Sequence, residues 1–205
     1  MKNKNVIQMQ INIKKQIKDS IALKMNLLDD QSGLSGIEEA IKTITNAFRN
    51  KHKIMLAGNG GSAADAQHIA GELVNRFNFD RPGLPAIALT TDSSVLTAIG
   101  NDHGFSKLFA RQIEALGNTG DVFVGISTSG NSPDIIEALK TCKEKHILTI
   151  GLTGLKGGLM KGMCDICICV PSEDTPRIQE VHILIGHIIC SIVEEDLFGQ
   201  FKSLK

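Results

Sequence analysis

Two side chains able to move a proton, His68 and Glu72, stand four residues apart in the run KIMLAGNGGSAADAQHIAGELVNR, residues 53–76. On a helix that spacing puts an imidazole and a carboxylate on one face. The plain structural alternative is a surface contact between successive turns. Ahead of them come Gly58, Asn59, Gly60, Gly61 and Ser62, a turn that only small residues make tightly. It joins a short apolar run, Ile54 to Ala57, to the Ala-rich stretch Ala63 to Val74, so the sequence predicts strand, glycine turn and helix. In that order, backbone N–H groups and the helix dipole converge on an anion. The starting hypothesis is a phosphate cradle followed by a basic nitrogen and a carboxylate on one rigid element.

A second turn repeats the pattern. The run DVFVGIS leads into Thr128, Ser129, Gly130, Asn131 and Ser132, and Pro133 and Asp134 open the next helix. Ser132 reads as an N-cap and Pro133 as the first helical residue. Taken alone this is a capped strand-to-helix turn. Yet Ser127, Thr128, Ser129 and Ser132 supply more hydroxyls than capping needs, and they suit the acceptor-rich oxygens of a phosphate monoester. Neither turn carries Lys or Arg, so binding would rest on amides and hydroxyls without a Walker-type lysine.

A third constellation, Arg177, Gln179, Glu180, His182 and His187, lies near the C-terminus. On a helix, Gln179 and His187 point about 80° apart, whereas His182 is about 140° from His187 and faces elsewhere. A helical histidine is more often a packing partner than a catalyst, so these residues count only with outside support. His52, His103 and His146 fall at turns or strand entries and are assigned no role.

Bulk properties narrow the classes. With 205 residues, 42% hydrophobic and 21% charged, the chain has the composition of a globular protein. A net charge of 0 argues against a nucleic-acid surface built on bulk positive charge. No apolar run reaches the roughly 20 residues of a membrane span, and the charged N-terminus does not read as a secretory signal; the expectation is a cytoplasmic protein. Five cysteines, an odd number, do not suggest a disulfide framework. Cys164, Cys167 and Cys169 form a C-x-x-C-x-C run, but the setting DICICV reads as a buried strand, so core packing is expected over metal binding.

Stepping along the chain, residues 5–30 read as one helix, broken by Gln31, Ser32 and Gly33, and a second helix runs from an N-cap at Ser35 to Phe48. These two are expected to pack together and against a second subunit. Strands are predicted at 53–58, 85–89, 121–127, 147–152 and 165–170. Helices are predicted at 62–75, 93–100, 105–116, 132–145 and 176–198. The class is α/β: a mainly parallel five-stranded sheet covered by helices on both faces, with ligands beyond the carboxyl ends of the strands. One domain, 1–205, is expected, with a helical extension at 1–50 and the α/β core at 51–200.

Four motifs in order, GNGGSAADAQH with Glu72, GNDHGF at 100–105, GISTSGNS at 125–132 and RIQEVHILIGH at 177–187, together resemble the phosphoheptose isomerases of the sugar-isomerase (SIS) superfamily. The resemblance implies a flavodoxin-like three-layer sandwich. It also implies isomerisation of sedoheptulose 7-phosphate to D-glycero-D-manno-heptose 7-phosphate through an enediol, which opens the synthesis of ADP- or GDP-heptose for lipopolysaccharide or capsule. By resemblance, Glu72 and His187 are the acid–base pair, and His68, Glu72, Gln179 and His187 are a zinc-binding set. Asn59, Gly60 and Gly61 would contact the sugar phosphate, Ser127, Thr128, Ser129 and Ser132 its phosphate end, and Asn101 and Asp102 the sugar hydroxyls. Ser62 and Arg76 would be secondary contacts, and Glu72 and Gln179 would also face the substrate. The family implies a homotetramer with active sites between subunits and the leading helices at its centre. Pro176 stands where some relatives have Asp, and reads with Thr175 as first helical residue and N-cap; Asn75 and Phe77 flank Arg76 where relatives often have Gly and Tyr. Two alternatives stay open: a non-catalytic SIS tetramer that binds the replication initiator DnaA, and a SIS isomerase for another sugar such as arabinose 5-phosphate. The retained Glu72 and His187 discriminate against the first, and the lack of room for a regulatory domain against the second.

Overall fold

The structure is a computed structural model that describes residues 2–200, with side chains from residue 7 onward. Two helices lead, α1 (Lys2–Asp29) and α2 (Gln31–Arg49), followed by alternating strands and helices: β1 (Ile54–Gly58), α3 (Gly61–Val74), β2 (Ala86–Ala88), α4 (Ser93–His103), α5 (Leu108–Leu116), β3 (Val122–Ile126), α6 (Pro133–Glu144), β4 (Leu148–Thr153), β5 (Ile166–Cys169) and α7 (Thr175–Phe198). Short 3₁₀ turns cover Phe105–Lys107 and Leu159–Gly162.

All four strand pairings are parallel, and the sheet order is β2-β1-β3-β4-β5. β1 and β3 are buried along their whole length, as the apolar runs IMLAG and VFVGI require of strands covered on both faces. Alternate residues enter two core halves. Ile54, Leu56, Val122, Val124, Ile150 and Ile166 meet α2, α3 and α7, while Met55, Phe123, Ile135 and Ile113 meet on the α5 and α6 side. The expected α/β fold with a five-stranded parallel sheet is thus what the chain adopts. Among the described residues no helix is long and apolar enough to cross a membrane.

Some boundaries differ from the sequence expectation. The break between the leading helices falls at Asp30, and Gln31, Ser32, Gly33 and Ser35 all lie inside α2. The cause is a better cap upstream: the Asp30 side chain accepts from the Ser32 N–H at 3.1 Å. Gly33 permits the tight turn, since a Cβ there would lie 2.7 Å from the Asp30 carboxylate. α7 likewise takes Asp174 as N-cap, which moves Thr175 and Pro176 one place into the helix. Ser132 does precede α6, with Pro133 opening the helix, but its hydroxyl makes no cap bond. That hydroxyl is used elsewhere, as shown below.

On β5 the two isoleucines are buried and the two cysteines only half-buried. Cys164 and Cys167 turn toward Gly151, where a Cβ would lie 2.8 and 3.4 Å from their sulfurs. A hydrogen bond from Cys164 holds the Cys167 thiol low, against the opposing effect of burial.

Candidate active site

In this strand order the chain reverses direction across the sheet between β1 and β3, and that switch point opens a crevice at the carboxyl ends of the strands. Both glycine and hydroxyl turns leave from there, because Gly58 at the end of β1 pairs with Ile126 at the end of β3. Gly58 closes the first turn tightly: a Cβ there would be 2.7 Å from the Ser62 Cβ. Gly60 takes φ +55° and stands at the N-cap of α3, which has no side-chain cap bond. α6 also starts without one. The N-terminus of α3 therefore faces the crevice without a side-chain cap, the arrangement that favours an anion, whereas in α6 the Ile135 N–H donates to the Asp134 carboxylate at 3.0 Å.

The second turn is organised by its hydroxyls. Buried Ser127 places its Oγ 2.8 Å from Ser132 Oγ and 3.4 Å from Ser129 Oγ. Asn131 N–H donates to Ser129 Oγ at 3.1 Å. Gly130, at φ +65°, presses so closely on Gly157 that a Cβ would sit 2.1 Å from its carbonyl oxygen, and the Met160 N–H donates to Gly130 O at 3.1 Å. Thr128 and Ser129 line a cleft of about 320 Å³ shared with Gly154, Lys156, Thr175 and Ile178. The two turns are tied together by Asn59, whose side-chain amide donates to Asp134 Oδ1 at 3.1 Å. Burial pushes the Asp134 carboxyl above its usual range.

α7 runs alongside α3 in the same direction. Gln179 packs over Gly61, where a Cβ would be 2.6 Å from its amide nitrogen. Two turns on, Gly186 lies against Ile69, with 2.6 Å between the Ile69 Cδ1 and the site of a Cβ. That close approach brings His187 Nε2 to 3.3 Å from His68 Nε2, while His68 Nε2 also lies 3.0 Å from Glu72 Oε1. The ligand atoms of His68, Glu72 and His187 all lie within 4.8 Å of one another, the single such group among the described residues. Two imidazoles and one carboxylate around one point match a donor set of catalytic zinc, and imidazole nitrogens facing each other at 3.3 Å suit a shared cation better than a mutual hydrogen bond. Asp65, one turn before His68, has a buried Oδ2 without a partner. Burial raises its carboxyl, which His68 and His187 oppose.

The other expected residues divide. His182 faces inward, fully buried, with Nε2 3.1 Å from the Thr153 carbonyl, and burial holds it down at about 4. Ser62 is buried behind the first turn, and Arg76 is exposed after α3. Asn101 and Asp102 bond to each other at 2.7 Å on α4, a helix with no buried residue that packs against α5 and the 3₁₀ turn before it. Asp102 is not part of the His–Glu–His group. Sequence reasoning gave Asp134 only a place at the start of a helix, and it passed over Asp65 and the Arg81–Glu194 pair. Of these only Asp65 left a local signal, one helical turn ahead of His68.

Known proteins resemble this chain in sequence and fold. Residues 17–154 match the SIS domain family. The chain is 61% identical over 193 residues to phosphoheptose isomerase 2 of Campylobacter jejuni, covering 94% of this chain and 96% of that one. It is 60% identical over 194 residues to the phosphoheptose isomerase of Aneurinibacillus thermoaerophilus, covering 94% and 98%. The structure of phosphoheptose isomerase GmhA from Neisseria gonorrhoeae superposes with a TM-score of 0.85 at 42% identity, covering 91% of this chain and 99% of that one. The chain belongs to the phosphoheptose isomerase family of SIS domain proteins.

Proposed function

We propose that the protein isomerises sedoheptulose 7-phosphate to D-glycero-D-manno-heptose 7-phosphate, with Glu72 and His187 as the acid–base pair. The observation that carries this reading is the convergence of His68, Glu72 and His187 within 4.8 Å on α3, which starts at the first anion-binding turn, and α7, which starts beside the second. Seven residues of α3 separate Gly61 from His68, about 10 Å along the axis. A seven-carbon sugar held by its terminal phosphate at the turns can reach that far with C1 and C2.

Moving the carbonyl from C2 to C1 requires a base at the carbon next to the carbonyl and an acid for the oxygen. Glu72 takes the C1 proton and returns it at C2, by way of an enediol. His187 holds and moves the proton on the oxygens. Asn59, Gly60 and Gly61 with Ser127, Thr128, Ser129 and Ser132 bind the phosphate end, with Ser62 behind them. Gln179, lying over Gly61, borders the sugar. His68, Glu72 and His187, with Gln179, would hold Zn²⁺, which when bound supplies Lewis acidity toward a carbonyl oxygen.

Asn101 and Asp102 reach the sugar in an assembly. α1 supports that reading: Met9, Ile13, Ile17, Ile21, Met25 and Leu28 are each more than half exposed along one side, an apolar row that in water favours association. A homotetramer with this helix at its centre and active sites between subunits covers it.

The direct test is incubation of purified protein with sedoheptulose 7-phosphate while aldose formation is followed. Absence of product rejects the function. Full turnover in a chelated, metal-free sample removes zinc from the mechanism.

A further inference from the structure

A buried ion pair lies behind the acid–base group. Arg81 and Glu194 have side chains 1% and 0% exposed, with Arg81 Nε 3.1 Å from Glu194 Oε1. A buried pair is weak support for stability, because desolvating two charges offsets most of their attraction. What distinguishes this one is where its remaining hydrogen bonds go. Arg81 donates to the backbone carbonyls of Glu72 at 2.9 Å, Leu73 at 2.7 Å and Asn75 at 3.3 Å. Glu72 and Leu73 lie in the last turn of α3 and Asn75 caps it; Leu73 O also accepts from the Leu84 N–H at 3.1 Å, and the helix dipole favours a cation at this end. Glu194, on α7, accepts from the N–H groups of Phe77 at 2.7 Å and Asn78 at 2.6 Å. The Phe77 ring in turn lies against the His187 imidazole, 5.5 Å between centroids.

We infer that the Arg81–Glu194 pair is a positioning device for the isomerisation: one partner grips the peptide of Glu72, and the other holds the backbone of Phe77, whose ring backs His187. The pair thereby sets the separation of a carboxylate on α3 from an imidazole on α7. This rests on the acid–base assignment above. Gly186 allows the two helices to approach, and the pair fixes how far α3 can slide or unwind at its C-terminal end. The anion-binding turns lie at the opposite end of α3, so the pair should govern turnover and leave binding alone.

The test compares Glu194→Gln and Arg81→Lys with Ile113→Ala, a control in the opposite half of the core, by thermal unfolding and by kcat and KM for sedoheptulose 7-phosphate. Glu194→Gln keeps the shape and an acceptor but loses the charge. Arg81→Lys keeps the charge but cannot reach Glu194 and three carbonyls together. Both are expected to lower kcat by roughly 10²-fold, the scale of a displacement of about 1 Å at a reacting centre, with KM within about threefold of wild type. Ile113→Ala, though destabilised, should keep its kcat. If the control loses kcat in proportion to its loss of stability, as the pair variants do, the pair is only structural and the inference falls. Should both pair variants fail to fold, Phe77→Leu reads the His187 arm alone; unchanged kcat there also overturns it. A normal kcat in Glu72→Gln would instead reject the acid–base assignment, a separate result.

Discussion

The corner where α3 meets α7 and the helix α4 both carry residues assigned to the reaction, yet they are built differently. At the corner, buried contacts hold the two helices: Gly186 against Ile69, His182 against Thr153, Arg81 against Glu194. α4 has no buried residue, and its Asn101 and Asp102 bond mainly to each other. The contrast separates two jobs. Moving protons demands geometry held to a fraction of an ångström, which only packed elements deliver. Recognising sugar hydroxyls tolerates a looser element that can be completed by another surface.

Substitutions at each region can break or sharpen that contrast. The largest effect is expected for Glu72→Gln, with turnover down roughly 10²–10⁴-fold while folding and substrate binding persist; near-normal aldose formation would defeat the assignment. Next comes His182. Its folded-state value near 4 lies below the ordinary 6.5, so the unfolded chain binds the extra proton first. The contribution of neutral His182 is complete above about pH 6.5 and is lost as pH falls toward 4, an effect of roughly 3 kcal/mol. In His182→Gln, which keeps a donor for Thr153, urea unfolding measured across that window should show a flatter pH dependence. Gly186→Val wedges α7 from α3. Overpacking of about 1–3 kcal/mol should appear in thermal unfolding, with kcat falling because His187 moves away from Glu72. The smallest effect belongs to α4. Asp102→Ala should leave stability within about 0.5 kcal/mol and raise KM rather than lower kcat. An equal loss of kcat there would dissolve the distinction between the two regions.

The sequence disclosed the parts of the site whose cause is local. Gly58 to Ser62 and Ser127 to Ser132 announce their turns by composition, and the strands between them by short apolar runs. His68 and Glu72 share a face by spacing alone. Local reasoning failed where a stronger neighbour competed, as when Asp30 capped α2 five residues ahead of Ser35. Contacts across the fold were out of reach. Arg81 and Glu194 are 113 residues apart, and nothing near either residue signals the other. The meeting of His68 and His187, 119 residues apart, was available only through family resemblance, because its physical cause is a missing side chain at Gly186.

The first helix leaves a row of isoleucines, methionines and a leucine facing water, Met9 at 63% and Leu28 at 62% exposure among them. Where such a surface is buried between copies of the chain, folding and assembly become one equilibrium, and its position shifts by mass action. The melting temperature of this protein would then climb with its concentration, and dilution alone would weaken it without any chemical change.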